Sequence, residues 1–181
     1  MSAIIEPIED LNLLATPEAG KKFAFMDADG ILKEKDSNGI ITPIVKQAVL
    51  VFNPSLNAAQ RTIAAHILTD INGNAFLLPN HSYVVRSWYE VITTFTSAGA
   101  DAGTIALGYD TDGAAAVKAA IAISDGTNPW DAGNHEGIQV GTVAAFGAKT
   151  TDNRAVEATV AVDALLAGKL YLFIEYVTTA A

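Results

Sequence analysis

The chain has 181 residues, no cysteine, and 11 Lys and Arg against 20 Asp and Glu, a net charge of −9. Without cysteine there is no disulfide framework, zinc–cysteine site, thiol nucleophile or iron–sulfur cluster, and the negative balance works against nucleic acid as a partner. Half of the residues are hydrophobic and only 17% are charged, below the roughly 25% of ordinary soluble domains. No stretch reaches the ~18 uninterrupted apolar residues of a membrane span, and MSAIIEPIEDLN at the start lacks the basic-then-apolar pattern of a signal peptide, so no membrane partner is expected. A surface this poor in charge predicts an oligomer that covers part of it.

Residues 1–20 carry Ile4, Ile5, Ile8, Leu11, Leu13 and Leu14 without a helical or strand period. Pro7 and Pro17 oppose a continuous helix. The segment reads as an extended arm whose apolar side chains need a covering surface, because disordered tails are usually less apolar. From Lys22 the pattern becomes that of short strands. Phe23 and Phe25 alternate with Lys22 and Ala24, the two-residue period of a strand. Asp29-Gly30 and Asn38-Gly39 are hairpin-turn signals. Ile31 to Lys35 reads as the return strand after the first, and Ile40, Ile41 and Thr42 follow the second. Hairpins this small do not stand alone. Residues 1–42 are therefore assigned to an arm with short hairpins and residues 43–181 to the main domain.

Beyond Pro43 the strands lengthen. Arg61 to Leu68 places Ile63, Ala65 and Ile67 on one face. Asp70 to Asn74 is a turn, answered by Ala75 to Leu78. Tyr83 to Thr96 is the longest strand, with Tyr83, Val85, Tyr89, Val91 and Phe95 on one side and Arg86, Trp88, Glu90 and Thr94 on the other. Thr104 to Tyr109, Arg154 to Val162 and Lys169 to Val177 complete the set. Gly113 to Ile123 is alanine-rich and suits a short helix, with a buried strand from Ala119 to Ser124 as the alternative. Many strands separated by turn formers predict an all-β antiparallel sandwich or barrel.

Chemical motifs are few. Asp27 to Gly30 and Asp110 to Gly113 mimic calcium loops, but Gly falls at the fourth position instead of the sixth and no glutamate closes the loop; turns explain both. His66, His81 and His135 have no metal-ligand spacing. Ser124-Asp125-Gly126, with Asp131 and His135 nearby, contains hydrolase residue types within a run of turn formers. No catalytic residue, metal or cofactor is assigned. Trp88 and Trp130 are candidates for stacking on sugar rings, although a lone tryptophan beside a proline, as Trp130 is beside Pro129, more often packs its loop on the core. The loop of Trp130, Asn134 and His135 is the first candidate for a receptor-facing surface that would take a cell-surface glycan.

The segment Gly20 to Gly39, GKKFAFMDADGILKEKDSNG, resembles a segment near the start of many tailed-phage fibre, spike and head-decoration proteins. Tyr89 to Ser97 with Thr104 to Gly108, Ala120 to Trp130 (AIAISDGTNPW), and Ala167 to Leu170 with Tyr176 and Val177 are similar to phage virion proteins encoded near capsid genes. Such a resemblance implies a homotrimer whose arms meet at a threefold axis, followed by a jelly-roll-like β-sandwich. It implies a structural protein without enzyme activity, a capsid decoration or cement protein on the outer surface of the head. Its partners would be further copies of itself and the major capsid protein. Ile4, Ile5, Ile8, Leu11, Leu13, Leu14, Phe23, Phe25, Ile31, Leu32, Ile40 and Ile41 would then form the trimer and capsid interface. The alternatives are a tail or head-fibre protein that recognises host carbohydrate, and a β-sandwich hydrolase of surface polysaccharide.

Overall fold

The structure, a computed structural model, describes residues 7–8, 15–27, 32–110, 113–137 and 150–178. In its first part, β1 (Pro7–Ile8), β2 (Lys22–Asp27), β3 (Leu32–Asp36) and β4 (Ile41–Pro43) form a four-stranded sheet in that order. Strands β2, β3 and β4 are antiparallel, whereas β1 lies parallel to β2. The Asn38-Gly39 turn forms as expected. Gly39 takes φ +80°, a conformation glycine adopts without steric cost. The Asp36 carboxylate accepts the Asn38 and Ile40 amides at 2.9 and 2.8 Å. The Asp29-Gly30 turn lies outside the described residues.

The main body begins with β5 (Lys46–Phe52). The residues expected to form a strand from Arg61 instead begin with a 3-10 turn at Ala58–Arg61 and a bend. Only β6 (Ala65–Ile67) becomes a strand. The Asn57 side chain caps the turn by accepting the Ala59 amide, and the Arg61 guanidinium donates to the carbonyls of Pro54 and Ser55 at 2.7 and 3.0 Å. These local bonds hold the chain away from a ladder, and Ile63 is left 57% exposed. After β7 (Thr69–Asp70) the Asp70 carboxylate accepts the amides of Asn72 and Asn74, which closes the expected turn. β8 (Leu77–Leu78) then pairs with β13 (Arg154–Ala161).

β9 (Ser82–Ser97) and β14 (Leu165–Thr178) form the longest ladder and the middle of a sheet ordered β12-β9-β14-β5-β7, with β12 at Gly133–Glu136. The second sheet is ordered β11-β10-β13-β6, with β10 at Thr104–Tyr109 and β11 at Gly113–Ala122. Every pairing within these two sheets is antiparallel. Leu50, Phe52, Tyr89, Phe95, Leu170, Leu172 and Ile174 of one sheet meet Ile105, Leu107, Val117, Val156, Ala158 and Val160 of the other in a single core. This is the all-β antiparallel sandwich expected from the strand pattern. Each large aliphatic or aromatic side chain buried there contributes about 1.5–3 kcal/mol of transfer free energy.

Three local expectations are corrected. The alanine-rich segment is strand β11, not a helix. Alanine is indifferent enough to yield to tertiary demand, and here it supplies hydrogen-bond partners to an edge of β10 that would otherwise be bare. On β9, Arg86 pairs with Glu175 but Val84 pairs with Tyr176, so Val85 is a bulge residue. A bulge shifts the side-chain phase by one, which turns Val84 inward and leaves Val85 44% exposed; Tyr83 therefore does not share the face of Tyr89. Val162 leaves the strand with φ +67° and is 68% exposed.

Candidate assembly and recognition surfaces

The N-terminal sheet puts Phe23, Phe25, Lys33, Lys35 and Ile41 on one face, through the pairs Phe23–Lys35, Phe25–Lys33 and Lys35–Ile41. Phe25 is buried, Phe23 is 42% exposed, Ile41 is half-buried, and Ile40 beside it is 57% exposed. Asp27 is buried and ion-paired with Lys33. A buried carboxylate needs such a partner because desolvation of an isolated charge is costly. The opposite face carries Lys22 and Glu34, 2.5 Å apart and largely in solvent, which contributes little. Of the residues assigned to an interface, Ile4, Ile5, Leu11, Leu13, Leu14 and Ile31 lie outside the described residues, as do the side chains of Ile8 and Leu32.

Trp130 does not face a receptor. It is fully buried, its indole N–H donates to the Ile121 carbonyl at 3.0 Å, and its ring packs on Tyr89 and Phe95 at centroid distances of 5.4 and 6.0 Å. The Tyr89 hydroxyl donates to the Pro129 carbonyl and the Phe95 amide to the Trp130 carbonyl, both at 3.0 Å. The Pro129-Trp130 loop is thus clamped between β9 and β11. Burial raises the Tyr89 phenol above its ordinary range, so it remains a neutral donor at all physiological pH values.

Asn134 and His135 lie on β12, at the edge of the sheet, and separate there. His135 pairs with Tyr89, stacks on its ring at 5.1 Å, and binds the Asp131 carbonyl through Nε2 at 2.8 Å. Asn134 and Glu136 pair with Glu90 and Trp88 and point to the outer face, as directly opposed residues must. With Arg86 and His135 they surround Trp88 in an open depression of about 480 Å³. Across the same face, Phe173 pairs with both Trp88 and Val49, and Tyr171 with both Glu90 and Val51. Trp88 and Phe173 stack at 5.0 Å with 3° between their planes. The face of β9 carrying Arg86, Trp88 and Glu90 was legible as a period of two. Its junction with Glu136 was not, because the pairing of β12 with β9 spans more than forty residues of chain and leaves no local signal.

Among the described residues, no group of three or more His, Asp or Glu side chains is placed to hold a metal ion, and no helix is long and apolar enough to cross a membrane. No protein-family model matches the chain, and no curated protein sequence matches it. Solved structures do. A chain in the capsid of Ralstonia phage GP4 superposes with a TM-score of 0.51 at 17% identity, covering 76% of this chain and 86% of that one. Chains in the acidic stable capsid of Helicobacter pylori bacteriophage KHP30 and in the capsid asymmetric unit of cyanophage Pam1 align at 14% and 16% identity, with TM-scores of 0.49 and 0.46. They cover 74% and 75% of this chain, and 87% and 84% of their own. The GP4 likeness establishes a shared fold: this chain has the antiparallel β architecture of a phage capsid component.

Proposed function

We propose that the protein is a structural component of a tailed-phage virion, a trimeric decoration or cement protein bound to the outer surface of the head. The observation that carries this reading is the division of the chain. A sandwich with the fold of a GP4 capsid chain holds its own core, while a small N-terminal sheet leaves Phe23 and Ile40 exposed beside a single buried phenylalanine. In this reading residues 1–42 supply the contacts to sister chains and to the major capsid protein, and residues 43–181 project outward. Packaged DNA presses a shell outward, and apolar area buried between the cement protein and adjoining capsomers opposes their separation at about 25 cal/mol per Å², less the cost of association. The net charge of −9 suits a position away from the genome. The action is mechanical and needs no catalysis.

The test is to add the purified protein to shells stripped of it. Many copies per particle at symmetry-related outer sites, with raised resistance of the shell to heat, is the expected result. A few copies confined to the tail, or failure to bind shells, overturns the reading.

A further inference from the structure

The geometry points to a saccharide-binding site on the outer face of the β12-β9-β14 sheet, centred on Trp88 and selective for neutral sugars. The hollow of about 480 Å³ is lined by Arg86, Trp88, Asn134, His135 and Glu136, within the size range of small-molecule sites. Its floor is aromatic, with Trp88 half-buried and stacked on Phe173. Its rim carries polar groups that, His135 apart, form no side-chain hydrogen bond or ion pair among the described residues. Among the described residues, Arg86 forms no ion pair and only its guanidinium face is engaged, 4.7 Å above the Trp88 ring. Asn134 is exposed, and neither its amide nor the Glu136 carboxylate takes part in a side-chain hydrogen bond there. A sugar offers what this rim lacks, hydroxyls that both donate and accept, matched to the Arg86 and Asn134 donors and the Glu136 acceptor, and its C–H groups suit the part of the half-buried Trp88 ring that Phe173 and the Arg86 guanidinium leave uncovered.

The charge around the hollow decides the class of sugar. Arg86, with Lys169 over the Tyr171 ring farther along the face, stands against three carboxylates, Glu136, Glu90 and Glu175, the last two through the pairs Glu90–Asn134 and Glu175–Arg86. The surplus is negative, so a uronate or sialylated chain is repelled and a neutral one is not. His135 is a positioning residue. Its stack on Tyr89 and its bond to Asp131 hold β12 in register, which places Asn134 and Glu136 beside Trp88. Rigid backing of this kind is what binding groups need. The site stands apart from the shell-binding reading, and either can fail without the other.

The experiment titrates the full chain, by calorimetry, with maltohexaose, mannohexaose and chitohexaose, and with hexagalacturonate as the anionic control. Binding of at least one neutral hexamer below about 10 mM, with none of hexagalacturonate, is expected. Trp88→Ala should weaken that binding at least about tenfold, and Asn134→Ala, at an exposed position, about threefold to tenfold. A thermal melt and the shell-binding assay report whether each variant is folded. Asn134→Ala, on an exposed edge, keeps the proposal testable if Trp88→Ala is not folded. No binding by any neutral hexamer, preference for hexagalacturonate, or unchanged affinity in a folded variant overturns the proposal.

Discussion

The two parts of this chain solve the burial problem differently. In the sandwich, two five-stranded sheets face each other, and Leu50, Phe52, Leu107, Val156, Leu170 and Leu172 are all fully buried. In the N-terminal sheet, Phe25 is the one described apolar side chain among the buried set, and it shares its face with Lys33 and Lys35. In the proposed reading, a four-stranded sheet whose described apolar core is a single phenylalanine gains too little from burial to offset the entropy of ordering its strands without a partner chain. The lesson is that sheet content does not measure autonomy. Among the described residues, a second sheet covers the pairing in the sandwich and none covers it in the N-terminal part, which in the proposed reading depends on other chains.

The most severe way to break the comparison is to remove residues 1–43. Shell binding and trimer formation should be lost entirely, while the sandwich keeps its cooperative melt within a few degrees. Sedimentation and a thermal scan read both. A substitution within the core should do the reverse. Trp130→Ala is expected to cost about 3–5 kcal/mol, because it empties a fully enclosed site and strips the Ile121 carbonyl of its donor; chemical denaturation measures it. Gly168→Ala should follow, at about 1–3 kcal/mol. Gly168 has φ +141°, and an added Cβ would stand 2.1 Å from the buried Phe95 ring.

Phe25→Ala sharpens the comparison from the other side. It should speed amide exchange across β2–β4 yet change the stability of the sandwich by less than about 0.5 kcal/mol, as for independent sites. The smallest effect concerns pH. The Asn74 amide holds the Asp70 carboxyl below its ordinary value, and the Thr127 hydroxyl and amide do the same for Asp125. A depressed folded-state value stabilises above the unfolded value of about 3.9 and is lost as pH falls through the folded one. The turns at Asp70 and Asp125 should therefore loosen only in strong acid, seen as faster exchange of the Asn72, Asn74 and Thr127 amides below about pH 4.

Much of this architecture was legible in the residues. The existence of the long strand over Tyr83 to Thr96 with its alternation from Arg86 to Val91, the turn at Asp70 and the strand of Lys169 to Val177 follow from side-chain period and turn chemistry, which are local. What was not legible depended on partners distant in the chain. The bulge at Val85 is set by the β14 ladder, and the strand state of Gly113–Ala122 by the open edge of β10. Trp130 was ambiguous for the same reason. A tryptophan after a proline reads as a surface ring or a core plug, and only the converging Tyr89, Phe95 and Ile121 decide for the plug. The Trp88 hollow was half visible: β9 announced Arg86 and Trp88, while Asn134 and Glu136 joined them only through the β12 pairing.

The central claim is that the N-terminal sheet becomes stable only against other chains. Hydrogen exchange of the dilute free chain, compared with the same protein on shells, tests it directly. The account predicts fast exchange in β2–β4 of the free chain, slow exchange in β9 and β14, and strong protection of β2–β4 on the shell. Equal protection of β2–β4 and β14 in the dilute monomer would contradict it.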